Sequence, residues 1–268
     1  MAQAINLNAD LGESFGAWRM GCDTELLPIV ATASIACGFH AGDPLVMRRT
    51  LRQALAAGVS IGAHPSYPDL QGFGRRVMRL PADELEALLI YQIGALAGMA
   101  RAEGARLTHV KPHGALSNMA CEEAEIAASV VAAIRCFDPQ LILLAPALSQ
   151  LALAGAAAGL RVASEIFGDR TYTDAGTLLP RGQPGAQLHA AADCAAHVLR
   201  MLDAGGIVSI RGRRIASEVH SICVHGDGAQ AVAAATAIRS ALLAAGMRLL
   251  PLPQVLASAE SVPPPAMV

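Results

Sequence analysis

Aromatic residues make up only 3% of this 268-residue chain, although 53% of it is hydrophobic. The apolar mass is therefore mostly Ala, Leu, Val and Ile, side chains that suit close packing of helices on strands. An excess of charge of one sign is also missing. The formal net charge is −2, which points away from nucleic acid or an anionic membrane surface as partner. The longest Ala-rich run, 148–160, holds two glycines and falls short of the ~20 apolar residues that a membrane-spanning helix needs. The six cysteines, Cys22, Cys37, Cys121, Cys136, Cys194 and Cys223, contain no C-x-x-C pair. That excludes a zinc ribbon or thioredoxin motif, and free buried thiols are expected. Cys37 reads as a core residue, and Cys223 as a packed residue that can line the interior. The chain opens Met1-Ala2-Gln3 and enters a strand at once, so no signal peptide is expected and the cytoplasm is the expected compartment. Neither a Walker A loop nor a G-x-G-x-x-G fingerprint is present, so no dedicated nucleotide fold is visible.

What is there is a rhythm. Six polar clusters each follow a short apolar run: NADLGE (8–13), CGFHAGD (37–43), GAHPSYPD (62–69), HVKPHGALSN (109–118), EIFGDRTY (165–172) and VHGDG (224–228). The runs before them are 5–7, 32–36, 60–62, 106–108, 161–164 and 221–223, with a further strand at 141–144. Helical stretches lie between, at 44–57, 81–103, 122–137, 148–158, 186–203 and 229–245. Residues 207–218 read as a small hairpin, and 248–250 as a short last strand. Strand, loaded loop, helix, repeated, predicts an α/β fold: a single-domain seven-stranded β/α barrel over residues 1–256. Its active site would lie at the C-terminal strand ends. From Ala257 the chain loses periodicity and reaches Pro263-Pro264-Pro265, so 257–268 is expected to be a poorly ordered tail.

Strand side chains alternate faces. On that parity one small or polar face leads forward to Asp10, His40, His64, Lys111, His113 and His225. Asp10 and Glu13 supply carboxylates from the first loop, and His40, His64, His109, His113 and His225 supply imidazoles from others. This inventory fits a divalent metal held by Asp10, His40 and His64, or metal-free acid–base catalysis in which Asp10 orients a histidine. Each histidine taken alone is also compatible with a satisfied core residue. Lys111 either stabilises an anion or forms an ion pair with Asp10 or Glu165. Arg75, Arg76, Arg170 and Arg181 lie in the two long connections, 64–80 and 166–185, and one of them is expected to anchor a ligand.

Taken together and in order, NADLGE, IACGFHAGD, GAHPSYPD, YQIGAL, HVKPHGAL, FGDRTY, LLPRG and VHGDG resemble the LamB/YcsF family of lactam-utilisation proteins over residues 4–252. The resemblance implies a barrel related to polysaccharide deacetylases. It also implies ATP-dependent opening of 5-oxo-L-proline to L-glutamate, in a 5-oxoprolinase complex with partner subunits B and C. ATP is then a co-substrate of the complex, while a divalent metal and a homodimer stay open. On this reading Asp10, His64, Lys111 and His113 are the catalytic candidates. Asn8, Glu13, Glu165, Asp169, Arg170, Arg181, His225 and Asp227 are the substrate-binding candidates. Two positions depart from the family pattern: Ser117 stands where Tyr is expected, and Gly168 where Ala is expected. The rival readings are a stand-alone metal-dependent de-N-acetylase or amidohydrolase, and a non-catalytic substrate-binding subunit.

Overall fold

Alternation along the strands sets the layering. Ile5, Leu7, Ala9 and Leu11 point outward into the core beneath the helices, and Asn6, Asn8 and Asp10 point into the barrel. The structure is a computed structural model that describes residues 3–225 and 230–260. In chain order its elements are β1 (Ala4–Leu11), α1 (Asp23–Leu26), β2 (Thr32–Ala36), α2 (Pro44–Ala57), β3 (Ser60–His64) and α3 (Ala82–Ala102). Then follow β4 (His109–Val110), α4 (Gly114–Glu122), α5 (Ala124–Phe137), β5 (Ile142–Pro146), α6 (Gln150–Ala157) and β6 (Val162–Phe167). The last are α7 (Ala191–Asp203), β7 (Gly206–Val208), β8 (Arg214–Ala216), β9 (Ser221–Val224), α8 (Ala231–Ala244), β10 (Arg248–Leu249) and α9 (Leu252–Glu260).

Seven strands, β1 to β6 and β9, pair in parallel, and β9 closes back onto β1. The chain is thus the single-domain seven-stranded β/α barrel that the rhythm predicts. Strand β10 adds to the outside of β1 through Ala4–Arg248 and Ile5–Leu249, and β7 and β8 form the separate hairpin. Local chemistry explains the helix ends. Asp43 caps α2 by accepting from the backbone N–H groups of Leu45 (2.8 Å) and Val46 (3.1 Å), Pro44 takes the first position, and Gly58 stops the helix at φ +68°. Among the described residues no helix is long and apolar enough to cross a membrane.

Several boundaries differ from the sequence reading; α7, for one, begins at Ala191 and not at 186. The fourth strand is His109–Val110, not 106–108. Arg106 is exposed, and Gly62 pairs with His109, so residues 105–108 are spent climbing from α3 to the sheet. Residues 114–118, read as part of a polar cluster, open α4, whose Ala115, Leu116, Met119 and Ala120 are buried at helical spacing. The ordered barrel does not end at 256, because α9 runs through Glu260. Its Leu252 and Leu256 enter a separate apolar cluster with Ile142, Leu144 and Ala163, which plugs the barrel interior from below. The rest of the expected tail, 261–268, lies outside the described residues.

Above that plug the interior is polar. Asn6 donates to Thr32 Oγ1 (2.7 Å) and to the Leu250 carbonyl (2.8 Å), and Ser221 donates to Asn6 Oδ1 (2.7 Å). The ring of His109 bonds Ser34 Oγ (3.2 Å) and Thr108 Oγ1 (2.9 Å). Burial, followed by the nearby charges of Lys111 and His64, pushes the His109 pKa down to about 3, so this ring is a neutral filler and not a site residue. It lies flat against Gly62, where a Cβ would collide with the imidazole. Gly62→Ala should therefore cost about 1–3 kcal/mol of stability, as overpacking of a rigid interior does. Urea unfolding checks this, and an unchanged midpoint would show that the ring moves freely.

Candidate active site at the barrel mouth

The site's floor is a buried charge cluster drawn from four strands. Lys111, just past β4, places its ammonium 2.8 Å from Asp10 Oδ1, 3.1 Å from Glu165 Oε1, 3.1 Å from Asn8 Oδ1 and 3.0 Å from Cys223 Sγ. An ammonium has three protons, and four acceptors surround this one. Of the two roles open to Lys111, the geometry is that of an ion pair, and with both carboxylates. Burial alone would raise the Asp10 pKa, but His64 and Lys111 outweigh it and hold the carboxyl well below its usual range. Burial likewise works against the Lys111 charge, and Asp10, Cys223 and Glu165 overcome it. For Glu165 burial wins, and its pKa is raised. Burial also pushes the Cys223 thiol well up, despite Lys111, so it packs as a thiol and is not a nucleophile. Cys37 is buried, with its thiol pushed up to about 12 by burial, in keeping with a core role.

One wall above the floor is made of imidazoles. His64, at the end of β3, has Nδ1 2.6 Å from the Lys111 carbonyl, and its Nε2 lies 3.3 Å from Asp10 Oδ2 and 3.1 Å from His113 Nδ1. His113 has Nε2 2.8 Å from the carbonyl of Phe73. Phe73 sits at φ +55°, a strained value for a residue with a side chain, and so aims that carbonyl at the site. His113 occupies the N-cap of α4 without a capping side-chain bond; its ring serves the site instead. His40 stacks on His113 with centroids 4.0 Å apart. Burial, then neighbouring imidazoles, push the pKa of His40 and of His113 well below the ordinary value, so both rings are neutral. Glu13 completes the group, with Oε1 3.7 Å from His113 Nδ1 and 3.9 Å from His40 Nε2.

A second wall comes from the β6 and β9 loops and adjoins Asp10, whose carboxylate lies within 4.8 Å of a ring nitrogen of His225. His225 Nδ1 lies 2.8 Å from Asp169 Oδ2, and its ring stacks on Phe167 at 5.5 Å. Burial would raise the Asp169 pKa, but His225 and then Arg181 overcome it and hold the carboxyl low. Arg181 reaches within 3.4 Å of His225 Nε2. Between the walls is a cavity of about 440 Å³, lined by Asp10, His64, Lys111, His113, Arg75, Arg170, Arg181 and His225 among others.

Not every expected contact faces that cavity. Asn8, Glu13 and Glu165 lie behind its lining. Asn8 donates to Glu165 Oε1 (2.8 Å) and Ser221 Oγ (2.8 Å) while accepting from Lys111, so it aligns the ion pair. Arg170 borders the cavity, but its guanidinium donates to the carbonyls of Ala186 (3.2 Å) and Leu179 (2.7 Å) and folds the long 166–185 connection. Arg76 is paired with Asp69. Asp227 lies outside the described residues.

Of the expected metal trio of Asp10, His40 and His64, the two imidazoles fall in one group of candidate ligands and Asp10 in another, with Cys223 and His225. A group of four, Glu13, His40, His64 and His113, offers ligand atoms within 4.8 Å of one another, all buried, and can hold a metal ion. Gly12, at φ +71°, breaks the alternation of β1 and lets Glu13 arrive beside the imidazoles, while Asp10 turns to Lys111.

Sequence reasoning missed the cavity wall from α4, namely Ser117, Asn118, Cys121 and Glu122, and residues 146–149 after β5. The helical spacing of Ala115, Leu116, Met119 and Ala120 was the available signal. Ser117 faces the cavity where the family pattern carries a larger Tyr. At Gly168 an added Cβ would come within 2.6 Å of Ile238 Cδ1, so Ile238 takes up the space of the missing methyl.

Comparison with known proteins agrees with this architecture. The LamB/YcsF family profile matches residues 5–257. The A subunit of 5-oxoprolinase from Azoarcus sp. (strain BH72) is 65% identical over 251 residues, covering 94% of this chain and 98% of that one. The crystal structure of a lactam utilization protein from Thermus thermophilus superposes with a TM-score of 0.87 at 42% identity, covering 92% of this chain and 99% of that one. A peptidoglycan deacetylase, PdaC from Bacillus subtilis, has a TM-score of 0.51 at 14% identity, covering 97% of this chain and 94% of that one, a likeness of fold alone.

The charge cluster generates a pH-dependent prediction. In the parent, the depressed Asp10 contributes stability that is present at neutral pH and is lost as pH falls through its folded-state value. In Lys111→Met the two carboxylates are buried without a counter-charge, and their folded-state pKa values rise above the unfolded ones. The folded state then holds more protons than the unfolded state above pH ~4, so stability falls as pH rises. The loss relative to the parent should be about 3–5 kcal/mol near pH 8 and smaller near pH 5. Urea unfolding at the two pH values measures it, and a pH-independent loss would contradict the charge account.

Proposed function

The chain belongs to the LamB/YcsF family, and from that premise we propose that it is the A subunit of an ATP-dependent 5-oxoprolinase. It would open the lactam of 5-oxo-L-proline to L-glutamate in the cytoplasm, together with subunits B and C. The observation that carries the reading is one cavity bordered both by an ionised Asp10 with imidazoles and by the His225 ring that Asp169 holds.

Opening a lactam by water breaks the ring C–N bond, forms a C–O bond, takes a proton from water and gives one to the ring nitrogen. A five-membered lactam resists this, and phosphorylation of its carbonyl oxygen by ATP makes the carbon a better electrophile. The chain has no recognisable phosphate loop, so the phosphoryl step is assigned to the complex. Asp10 is buried yet ionised and can receive a proton from water, while His64 and His113 shape the wall beside it. Asp169 accepts from His225 Nδ1 and orients the ring so that Nε2 faces Arg181 and the cavity, where it can serve the ring nitrogen. Arg75 and Arg181 border the cavity and suit the substrate's carboxylate. A metal ion held by the imidazole group would polarise the carbonyl or lower the pKa of water.

Mixing the chain with subunits B and C, ATP and 5-oxo-L-proline should yield glutamate, and the chain alone should yield none. In the complete mixture His225→Asn should lower kcat by roughly 10²–10⁴-fold with a smaller change in KM. Glutamate formation by the isolated chain would contradict the shared reaction. Near-parental kcat of His225→Asn would remove the proton role of the pair.

A further inference from the structure

Backbone carbonyls decide the tautomers of two histidines, and the outcome is an arrangement that a proton alone does not resolve. The Lys111 carbonyl, 2.6 Å from His64 Nδ1, can only accept, so the Nδ1 proton of His64 is committed there. The Phe73 carbonyl, 2.8 Å from His113 Nε2, commits the Nε2 proton of His113 in the same way. With those protons committed, His64 Nε2 and His113 Nδ1 face each other 3.1 Å apart, with Asp10 Oδ2 3.3 Å from the His64 nitrogen. Two ring nitrogens at that distance are joined through a positive centre, a proton or a metal ion. Glu13 adds a carboxylate oxygen 3.7 Å from His113 Nδ1, too long for a hydrogen bond but suited to two ligands sharing one ion. His40 adds a third imidazole, only 1% exposed, and neither of its ring nitrogens has a hydrogen-bond partner among the described residues. One extra proton can join His64 to His113, but it leaves His40 unbonded.

We propose that Glu13, His40, His64 Nε2 and His113 Nδ1 form a binding site for one divalent first-row transition metal ion. Three imidazoles and one carboxylate are the donor set of zinc and its neighbours, and differ from the all-oxygen sets of calcium or magnesium. The other cluster of potential ligands, Asp10, Cys223 and His225, is a different case, because the Lys111 ammonium already bonds Asp10 and Cys223. The backbone helps build the site. Gly74, at φ +65°, follows the strained Phe73, and a Cβ on it would come within 2.9 Å of His40 Cβ and 3.0 Å of His113 Cδ2. The close approach of this loop therefore holds both rings in place. The carbonyls of Lys111 and Phe73 raise the basicity of their imidazoles and fix their orientation, as partners of metal-bound histidines do.

The proposal deepens the hydrolytic reading but is tested without turnover, so the two can fail separately. The full chain, stripped with chelator and desalted, is titrated with Co²⁺ and with Zn²⁺ by calorimetry and visible absorption. One Co²⁺ should bind per chain with the d–d bands of a nitrogen-ligated site, and Zn²⁺ should displace it. Glu13→Gln, nearly the same shape, should weaken Zn²⁺ by at least roughly 10–100-fold, the range lost on disturbing a metal site. His40→Ala should do likewise. Zn²⁺ should raise the melting temperature of the parent but not of Glu13→Gln, which reports binding even if a variant is less stable. Cys136→Ser, which removes an exposed thiol, should bind as the parent does. Absence of stoichiometric uptake by the folded chain would overturn the proposal. So would uptake unaffected by Glu13→Gln and His40→Ala. Nitrogen-15 chemical shifts showing one proton shared between His64 Nε2 and His113 Nδ1 in the presence of Zn²⁺ would overturn it too.

Discussion

The buried ammonium of Lys111 is the constraint on which the rest depends. Its partners come from β1, β6 and β9, separated from it in sequence by as many as 112 residues, so the cluster exists only once the barrel has closed. A buried ion pair is seldom a net source of stability, since desolvating both charges costs several kcal/mol per ion. What this one does is place an ionised carboxylate, Asp10, at the mouth of a buried interior. There, hydrogen bonds and charges act more strongly than in water.

From that fixed charge the two walls follow. His64 stands between Asp10 and His113, with its orientation set by the Lys111 carbonyl. The same residue thus supplies the ammonium that holds Asp10 and the carbonyl that aligns His64. In the second wall, Asp169 does for His225 what a backbone carbonyl does for His64. The long connection after β6 brings its own support, because Arg170 is bonded to the carbonyls of Ala186 and Leu179. A group that looked like an anion clamp in sequence is a loop-builder in the fold.

The barrel and the residues gathered at its rim were legible because strand parity is rigid. Asp10, His64 and Lys111 lie at or just past strand ends, and alternation places each on the inner face. Legibility fails where parity ends. Glu13 follows the left-handed Gly12, and His40 lies in the loop beyond β2, so neither their distance nor their partners follow from spacing. The gathering of Glu13 and His113 beside His40 and His64 is of this kind, because it depends on a carbonyl aimed by Phe73 forty residues away from His113. Helix α4 is different: its apolar spacing was present in HVKPHGALSN, but the loop-like Pro112 and Gly114 masked it. The tautomers of His64 and His113 are set by through-space contacts to main-chain oxygen, on which side-chain identity is silent.

The central claim is that the lactam is opened between these two walls. A structure of the chain with 5-oxo-L-proline bound tests it most directly. The lactam carbonyl carbon is predicted to face Asp10 and His64, with the ring nitrogen toward His225 and the carboxylate at Arg75 or Arg181. A ligand seated outside the barrel mouth, or one whose ring nitrogen faces away from His225 with its carbonyl out of reach of Asp10, would contradict it.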